Sequence, residues 1–178
     1  MQIMQGNIWI LPNSQGLVQG VSLLLKFQIG PSLERYMFAP KDYSNSLFGG
    51  LKILLADDDG LNRIVTKKLL ERLGCLVTAV SSGFECLGAI SGSGGNLFKI
   101  IMLDIHMPEM GGFEVAARIR KFNGPNWPLI IALIANAEEQ VKDRCMLAGM
   151  NGVIRKPILL HQIADELRSV LLRAGEKL

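Results

Sequence analysis

Acidic side chains that could bind a metal ion or handle phosphate stand at two points of the chain, and a lysine stands at a third. Asp57 and Asp58 follow the apolar run KILLA, Asp104 ends the stretch FKIIMLD, and Lys156 follows GVIR. Neighbouring carboxylates raise each other's pKa, but a hard divalent cation makes them oxygen ligands, and magnesium is the usual ion where phosphate is handled. A carboxylate beside such an ion and a lysine is a credible nucleophile toward phosphorus.

The sequence from Leu51 onward alternates short apolar runs with longer amphipathic stretches. Each run has the length of a buried strand, and each is followed by apolar residues at helical spacing. This alternation predicts an α/β fold, a doubly wound five-stranded parallel sheet of the flavodoxin-like order 2-1-3-4-5, with helices on both faces. The predicted strands are KILLA, CLVTAV, FKIIML, PLIIALI and GVIRK.

This fold would bring the charged residues together. Ligands of such sheets bind outside the carboxyl ends of the strands, and the first and third strands lie side by side. Asp104 should therefore face Asp57 and Asp58 across a few ångströms. Lys156 should reach the same rim from the other side.

The composition argues against several other classes of protein. The net charge is +3, with three basic and two acidic residues in 1–50 and sixteen and fourteen in 51–178. No basic stripe marks a nucleic-acid surface. Cys75, Cys86 and Cys145 are odd in number and scattered, which predicts buried, reduced thiols rather than disulfides or a metal site. Without a run of about 18 apolar residues, no membrane contact is expected from this segment.

The first 50 residues form a separate region. NIWIL and VSLLLKFQI are predicted to be strands, and the turn-rich stretch PNSQGLVQG between them indicates a short β-hairpin-like extension. Residues 31–50 include two prolines and show no period, so we interpret them as a linker. The predicted domains are therefore residues 1–30 and residues 51–175.

Three motifs in residues 51–173 together resemble the receiver domain of two-component response regulators: ILLADDDGLNR, IIMLDIHMPEMGGFEV and VIRKPI. The resemblance implies that Asp104 accepts a phosphoryl group in a phosphorelay and that Lys156 pairs with it. It implies a cis peptide before Pro157. It also implies a Mg²⁺ site whose ligands are the side chains of Asp58 and Asp104, the backbone carbonyl of His106 and, through water, Asp57.

The N-terminal region resembles the last strands of a histidine-kinase ATP-binding domain, of which residues 1–30 would be a remnant. With the linker, it is most similar to plant ethylene receptors, specifically the hybrid kinases of the second subfamily. The resemblance implies a full-length receptor in the endoplasmic reticulum membrane, with this segment on the cytoplasmic face. The implied partners are a histidine-containing phosphotransfer protein or kinase histidine domain and other ethylene-signalling proteins, and homodimerisation stays open. No kinase activity is expected from this segment itself.

Two positions depart from the receiver pattern. Receivers usually carry Ser or Thr after the fourth strand, where the hydroxyl binds the phosphoryl oxygens, and often Tyr or Phe in the fifth strand. Here these positions hold Ile134 and Val153. Two alternatives follow: a phosphoacceptor with an atypical readout, or a phosphorylation-independent interaction module. An aspartyl-phosphate phosphatase is disfavoured because His106 replaces the second acid of such enzymes.

Overall fold

The computed structural model of the chain divides into two units, residues 1–41 and residues 42–178. The described residues are 5–12, 18–26, 48–92, 97–123, 128–135 and 139–175. Most of the predicted linker lies outside these ranges. Its last residues, 48–50, form a turn of the second unit, in which Phe48 is buried and packs with the core. The packed core of this unit therefore begins before Leu51.

The first unit contains an antiparallel pair of strands. β1 (Gln5–Pro12) pairs with β2 (Val18–Lys26), with Ile8 opposite Leu23. The predicted hairpin-like extension is present. β2 begins inside the stretch that was predicted to be a turn, and residues 27–29, predicted to end the second strand, lie outside the described residues.

The second unit contains a parallel sheet of five strands, which confirms the predicted fold class. The strand order is β4-β3-β5-β6-β7, which is the predicted order 2-1-3-4-5. Every residue of β5 and β6 is buried, as expected for central parallel strands covered on both faces. The strands are β3 (Lys52–Ala56), β4 (Leu76–Val80), β5 (Ile100–Asp104), β6 (Leu129–Ile134) and β7 (Gly152–Arg155).

Helices cover both faces of this sheet. They are α1 (Gly60–Arg72), α2 (Gly83–Gly92), α3 (Gly112–Asn123), α4 (Glu139–Leu147) and α5 (Leu160–Arg173). Leu70 of α1 and Leu167 of α5 belong to one apolar cluster. Cys86 of α2, Ile119 of α3 and Cys145 of α4 belong to the cluster on the opposite face. Within the described residues, no helix is long and apolar enough to cross a bilayer.

The three cysteines are buried and form no disulfide, as the sequence predicted. Burial raises the pKa of the Cys75 and Cys86 thiols to about 12 and also raises the pKa of Cys145. Because the thiolate is the reactive form, these cysteines are packing residues and not nucleophiles at neutral pH.

The strand register places the functional residues at one rim of the sheet. Ala56 lies opposite Leu103, so Asp57 and Asp104 stand at the same level of adjacent strands. Arg155 lies opposite Ile134, the last residue of β6, so the residue after it emerges at the same rim.

Gly112 begins α3 directly against the end of β5. Its N–H donates to the carbonyl oxygen of Ile105 at 3.1 Å. A Cβ at position 112 would lie 2.8 Å from the Cα of Ile105 and closer still to the carbonyl oxygen of Asp104. These are backbone atoms, so they could move away only by displacing the loop after the strand.

We expect Gly112→Ala to destabilise the protein by about 1–3 kcal/mol, the usual cost of overpacking. Gly88→Ala is the matched control, because Gly88 lies exposed within α2 and an added Cβ would meet nothing within 4 Å. The control should raise the free energy of unfolding by about 0.5–1 kcal/mol through helix propensity. Urea unfolding of both variants measures the difference. Equal stability of the two would contradict the packing argument.

Candidate functional site

Three carboxylates meet at the carboxyl ends of β3 and β5. Asp57 and Asp58 directly follow β3, and Asp104 is the last residue of β5. One carboxylate oxygen of each lies within 4.8 Å of the others. Asp57 is 0% and Asp104 is 6% exposed, whereas Asp58 is exposed to solvent. The structure thus brings together the acids that the sequence analysis singled out, and leaves one side of the cluster open.

Backbone N–H groups orient the two buried carboxylates. Oδ1 of Asp57 accepts a hydrogen bond from the N–H of Asp59 at 3.0 Å. Oδ1 of Asp104 accepts one from the N–H of His106, also at 3.0 Å. Each bond joins an aspartate to the backbone two residues later, which is the pattern of an Asx turn. The turn that leaves each strand therefore fixes the rotation of its own aspartate.

Lys156 directly follows the edge strand β7 and bonds both buried carboxylates. Its Nζ donates to Oδ2 of Asp57 at 2.8 Å and to Oδ2 of Asp104 at 2.5 Å. Its backbone N–H donates to the carbonyl oxygen of Ile134 at 2.8 Å, which extends the pairing of β6 with β7 by one residue. The following peptide, Lys156–Pro157, is cis.

The electrostatics of the cluster follow from burial and from the lysine. Burial raises the pKa of Asp57 above its ordinary value of 3.8, although the hydrogen bond and charge of Lys156 oppose the shift. Burial alone would lower the pKa of Lys156, but its bonds to Asp104 and Asp57 and their charges leave it above 10.5. The ammonium therefore stays protonated at neutral pH.

The two positions that depart from the receiver pattern, Ile134 and Val153, lie on one face of the sheet. Ile134 is 3% exposed and belongs to the same apolar cluster as Ile119 of α3 and Cys145 of α4. Val153 is half-buried and packs against that cluster. Neither hydrocarbon side chain has a hydrogen-bond donor for a phosphoryl oxygen.

The structure also places residues at the edge of the cluster. His106 is exposed. Asp59 caps α1, since its side chain accepts from the N–H of Asn62 at 2.8 Å.

Arg63 of α1 was not predicted to act in the site, although it ends the first motif. Its Nη1 donates to the backbone carbonyl oxygen of Asp57 at 2.7 Å, a contact with main-chain atoms that no spacing of side chains would indicate.

Comparison with known proteins agrees with this geometry. The family model described as the response regulator receiver domain matches residues 53–168. The chain belongs to this family. The receiver chain is 45% identical over its whole length to ethylene receptor 2 of Arabidopsis thaliana. It is 44% identical over 96% of its length to ethylene receptor 2 of Oryza sativa subsp. japonica. It spans about a quarter of the length of these relatives, 24% and 23%.

Solved structures show the same receiver fold. The chemotaxis protein CheY4 of Vibrio cholerae, crystallized at low pH, has a TM-score of 0.63 and 25% identity, with 69% of this chain and 100% of that chain covered. A chain of the co-crystal structure of the Saccharomyces cerevisiae histidine phosphotransfer protein Ypd1 with the receiver domain of Ssk1 has a TM-score of 0.63. The two sequences are 22% identical, and the match covers 72% of this chain and 94% of that chain. This likeness concerns the fold alone.

We expect Lys156→Met to destabilise the receiver more at pH 7 than at pH 4. Without the ammonium, the Asp57 carboxylate is buried beside Asp104 with no cation bonded to it, so its pKa rises further. When folding raises the pKa of a carboxyl, the folded protein loses stability as the pH rises. The loss begins near the ordinary pKa of 3.8 and is complete above the raised pKa of the folded state. The loss at pH 7 should approach about 3 kcal/mol, the cost of breaking a buried ion pair.

Urea unfolding at the two pH values, without divalent cations, measures this difference. Lys67→Met is the matched control, because the Lys67 ammonium forms only an exposed ion pair with Glu71, at 3.8 Å. The control should lose less than about 1 kcal/mol at either pH. A Lys156→Met deficit of the same size at both pH values would show that Asp57 does not depend on the lysine charge.

Proposed function

We propose that this chain is the receiver segment of an ethylene-receptor-like hybrid histidine kinase, and that Asp104 accepts a phosphoryl group from a phosphohistidine. The observation that carries the proposal is the environment of the Asp104 carboxylate, which lies 2.5 Å from the Lys156 ammonium and beside two further carboxylates. Membership of the receiver family and the likeness to ethylene receptors support it.

Mg²⁺ fits this site on the chemistry of its donors. Magnesium prefers carboxylate and carbonyl oxygens and keeps several waters, and the cluster is open to solvent at Asp58. The charges of the three carboxylates and Lys156 leave a net −2, which one divalent ion neutralises. We propose that Asp58, Asp104 and the carbonyl of His106 hold the ion, and Asp57 through water. When bound, the ion would neutralise charge on the phosphoryl oxygens.

In the proposed transfer, a carboxylate oxygen of Asp104 forms a new P–O bond while the P–N bond to the donor imidazole breaks. The imidazole nitrogen keeps the electron pair of the broken bond, and the product is an acyl phosphate on Asp104. Lys156 balances negative charge on the phosphoryl oxygens, for which its raised pKa keeps it protonated. Burial of Asp104 at the strand end fixes the nucleophile before the donor arrives.

The donor that we propose is a histidine of a phosphotransfer protein or of a kinase histidine domain. The shared fold with the solved structure that pairs Ypd1 with a receiver domain supports a partner of this kind. Other ethylene-signalling proteins, and a location on the cytoplasmic face of the endoplasmic reticulum membrane, rest on the likeness to ethylene receptors alone.

A second candidate function is a receiver-fold interaction module that works without phosphate. The observation that favours it is the pair of buried or half-buried hydrocarbon side chains, Ile134 and Val153, at the positions where receivers usually carry a hydroxyl and an aromatic ring. In this case phosphorylation of Asp104 would leave the face of α4 and β7 unchanged, and partners would bind that face in either state.

Asp104→Asn should reduce the transfer of ³²P-phosphate from a phosphorylated histidine phosphotransfer protein, in Mg²⁺, by about 100-fold or more, because an amide is not a nucleophile. Asp59→Asn is the matched control with the same chemical change. Asp59 caps α1, a role that Asn fills equally well, so labelling should stay at the wild-type rate. Asp58→Asn should raise the Mg²⁺ concentration needed for half-maximal labelling. Wild-type labelling of the Asp104→Asn variant would disprove the assignment of the acceptor.

Beryllofluoride with Mg²⁺, a mimic of the phosphoryl group, should perturb residues 57–59 and 104–106 and leave residues 139–155 nearly unchanged. A ligand shifts a conformational equilibrium only through contacts that differ between the two states, and Ile134 offers none through hydrogen bonds. Ile134→Thr supplies the missing hydroxyl and should enlarge the amide chemical-shift changes in 139–155, at a stability cost of about 1–3 kcal/mol.

Ile130→Thr controls for the substitution itself. Ile130 lies in the same strand and the same apolar cluster but away from the rim, so a threonine hydroxyl introduced there cannot reach the mimic. The control should lose stability without gaining a response. Large shifts across 139–155 in the wild-type protein would overturn the idea of a silent switch and restore ordinary receiver signalling.

A further inference from the structure

Arg63 binds the main chain of the segment that carries two of the three acids. It lies in the first turn of α1, and its Nη1 donates to the carbonyl oxygen of Asp57 at 2.7 Å and to that of Asp58 at 3.3 Å. Arg63 is a half-buried residue; its bond to the Asp57 carbonyl is partly buried, and its bond to the Asp58 carbonyl is exposed to solvent. One side chain thus spans the strand end, the turn after it and the helix that follows.

The three acids are not held equally. Asp57 and Asp104 are fixed by the bonds from backbone N–H groups and by Lys156. Within the described part of the chain, the Asp58 carboxylate takes part in no hydrogen bond or ion pair, and it is exposed. Its direction therefore depends on the backbone of its own residue, and the described side chain that binds the carbonyl of that residue is Arg63.

We propose that Arg63 is a positioning residue of the metal site: by holding the carbonyl groups of Asp57 and Asp58, it keeps the Asp58 carboxylate turned toward Asp104. Planar guanidinium groups suit this task because one nitrogen bonds two oxygens at fixed angles. The inference rests on the proposed function, since it concerns the same magnesium site. It adds a residue that touches neither the metal ligand atoms nor the phosphoryl group.

A positioning role and a simple charge effect predict opposite results. If Arg63 acted only through its positive charge, its removal would make the cluster more negative and Mg²⁺ would bind more tightly. If it positions Asp58, its removal lets that carboxylate rotate into solvent and Mg²⁺ binds more weakly. The sign of the change in affinity therefore separates the two.

Arg63→Met keeps the apolar stem and removes the donors. Two measurements follow: amide hydrogen exchange at Asp59 without metal, and Mg²⁺ affinity from amide chemical shifts of residues 57–59 and 106. We expect faster hydrogen exchange at the amide of Asp59, because its N–H donates to Oδ1 of Asp57 in the turn that Arg63 holds. We also expect about fivefold weaker Mg²⁺ binding, which corresponds to the free energy of one lost hydrogen bond. Arg63→Lys, which can reach one carbonyl oxygen, should recover part of both.

Lys67→Met is the matched control, because it removes one positive charge from the next turn of α1 without touching these carbonyl groups. It should leave both measurements at the wild-type values or slightly tighten Mg²⁺ binding. Unchanged exchange at Asp59 together with equal or tighter Mg²⁺ binding in Arg63→Met would overturn the inference. Failure of the wild-type chain to bind Mg²⁺ would instead refute the magnesium site of the proposed function, while the exchange measurement would still decide whether Arg63 holds the turn.

Discussion

The Lys156 ammonium between two buried carboxylates is the interaction on which the rest of the site depends. Asp57 and Asp104 stand on adjacent strands and both are withdrawn from water, so their mutual repulsion is poorly screened. One cation bonded to both offsets this repulsion. Lys156 directly follows β7, which lies two positions from β5 in the order β4-β3-β5-β6-β7, so the sheet order brings the lysine to the same rim as the two acids.

The sequence was sufficient to predict the fold and the convergence of the acids for a physical reason. Parallel strands buried on both faces must be apolar throughout, so β5 and β6 appear in the sequence as uninterrupted hydrophobic runs. A charged residue at the end of such a run can only stand at the carboxyl rim. The alternation of strands with helices then fixes which ends are neighbours, and hence places Asp104 beside Asp57.

The sequence could not predict features that depend on the main chain or on the surroundings. Arg63 binds carbonyl groups, which every residue possesses, so its sequence position carries no sign of the contact. The different burial of Asp57 and Asp58 is set by the turn after β3, although the two residues are chemically identical. Phe48 was assigned to a linker because its neighbours have no period, and its burial depends on contacts with residues distant in the sequence.

The proposed chemistry of this receiver and its proposed readout depend on different parts of the same sheet. Asp57, Asp104 and Lys156 stand at the strand ends, where backbone N–H groups bond the two carboxylates and the carboxylates bond the lysine. Ile134 and Val153 belong to the apolar cluster under α3 and α4, where their packing contributes to stability. A hydroxyl at position 134 would supply a hydrogen bond to a phosphoryl oxygen but would weaken that packing. An isoleucine keeps the packing and supplies no hydrogen bond. In the proposed functions, exchanging one for the other would alter the coupling between phosphate and surface without altering the residues proposed to perform the transfer, which is why the two proposed functions can share one site.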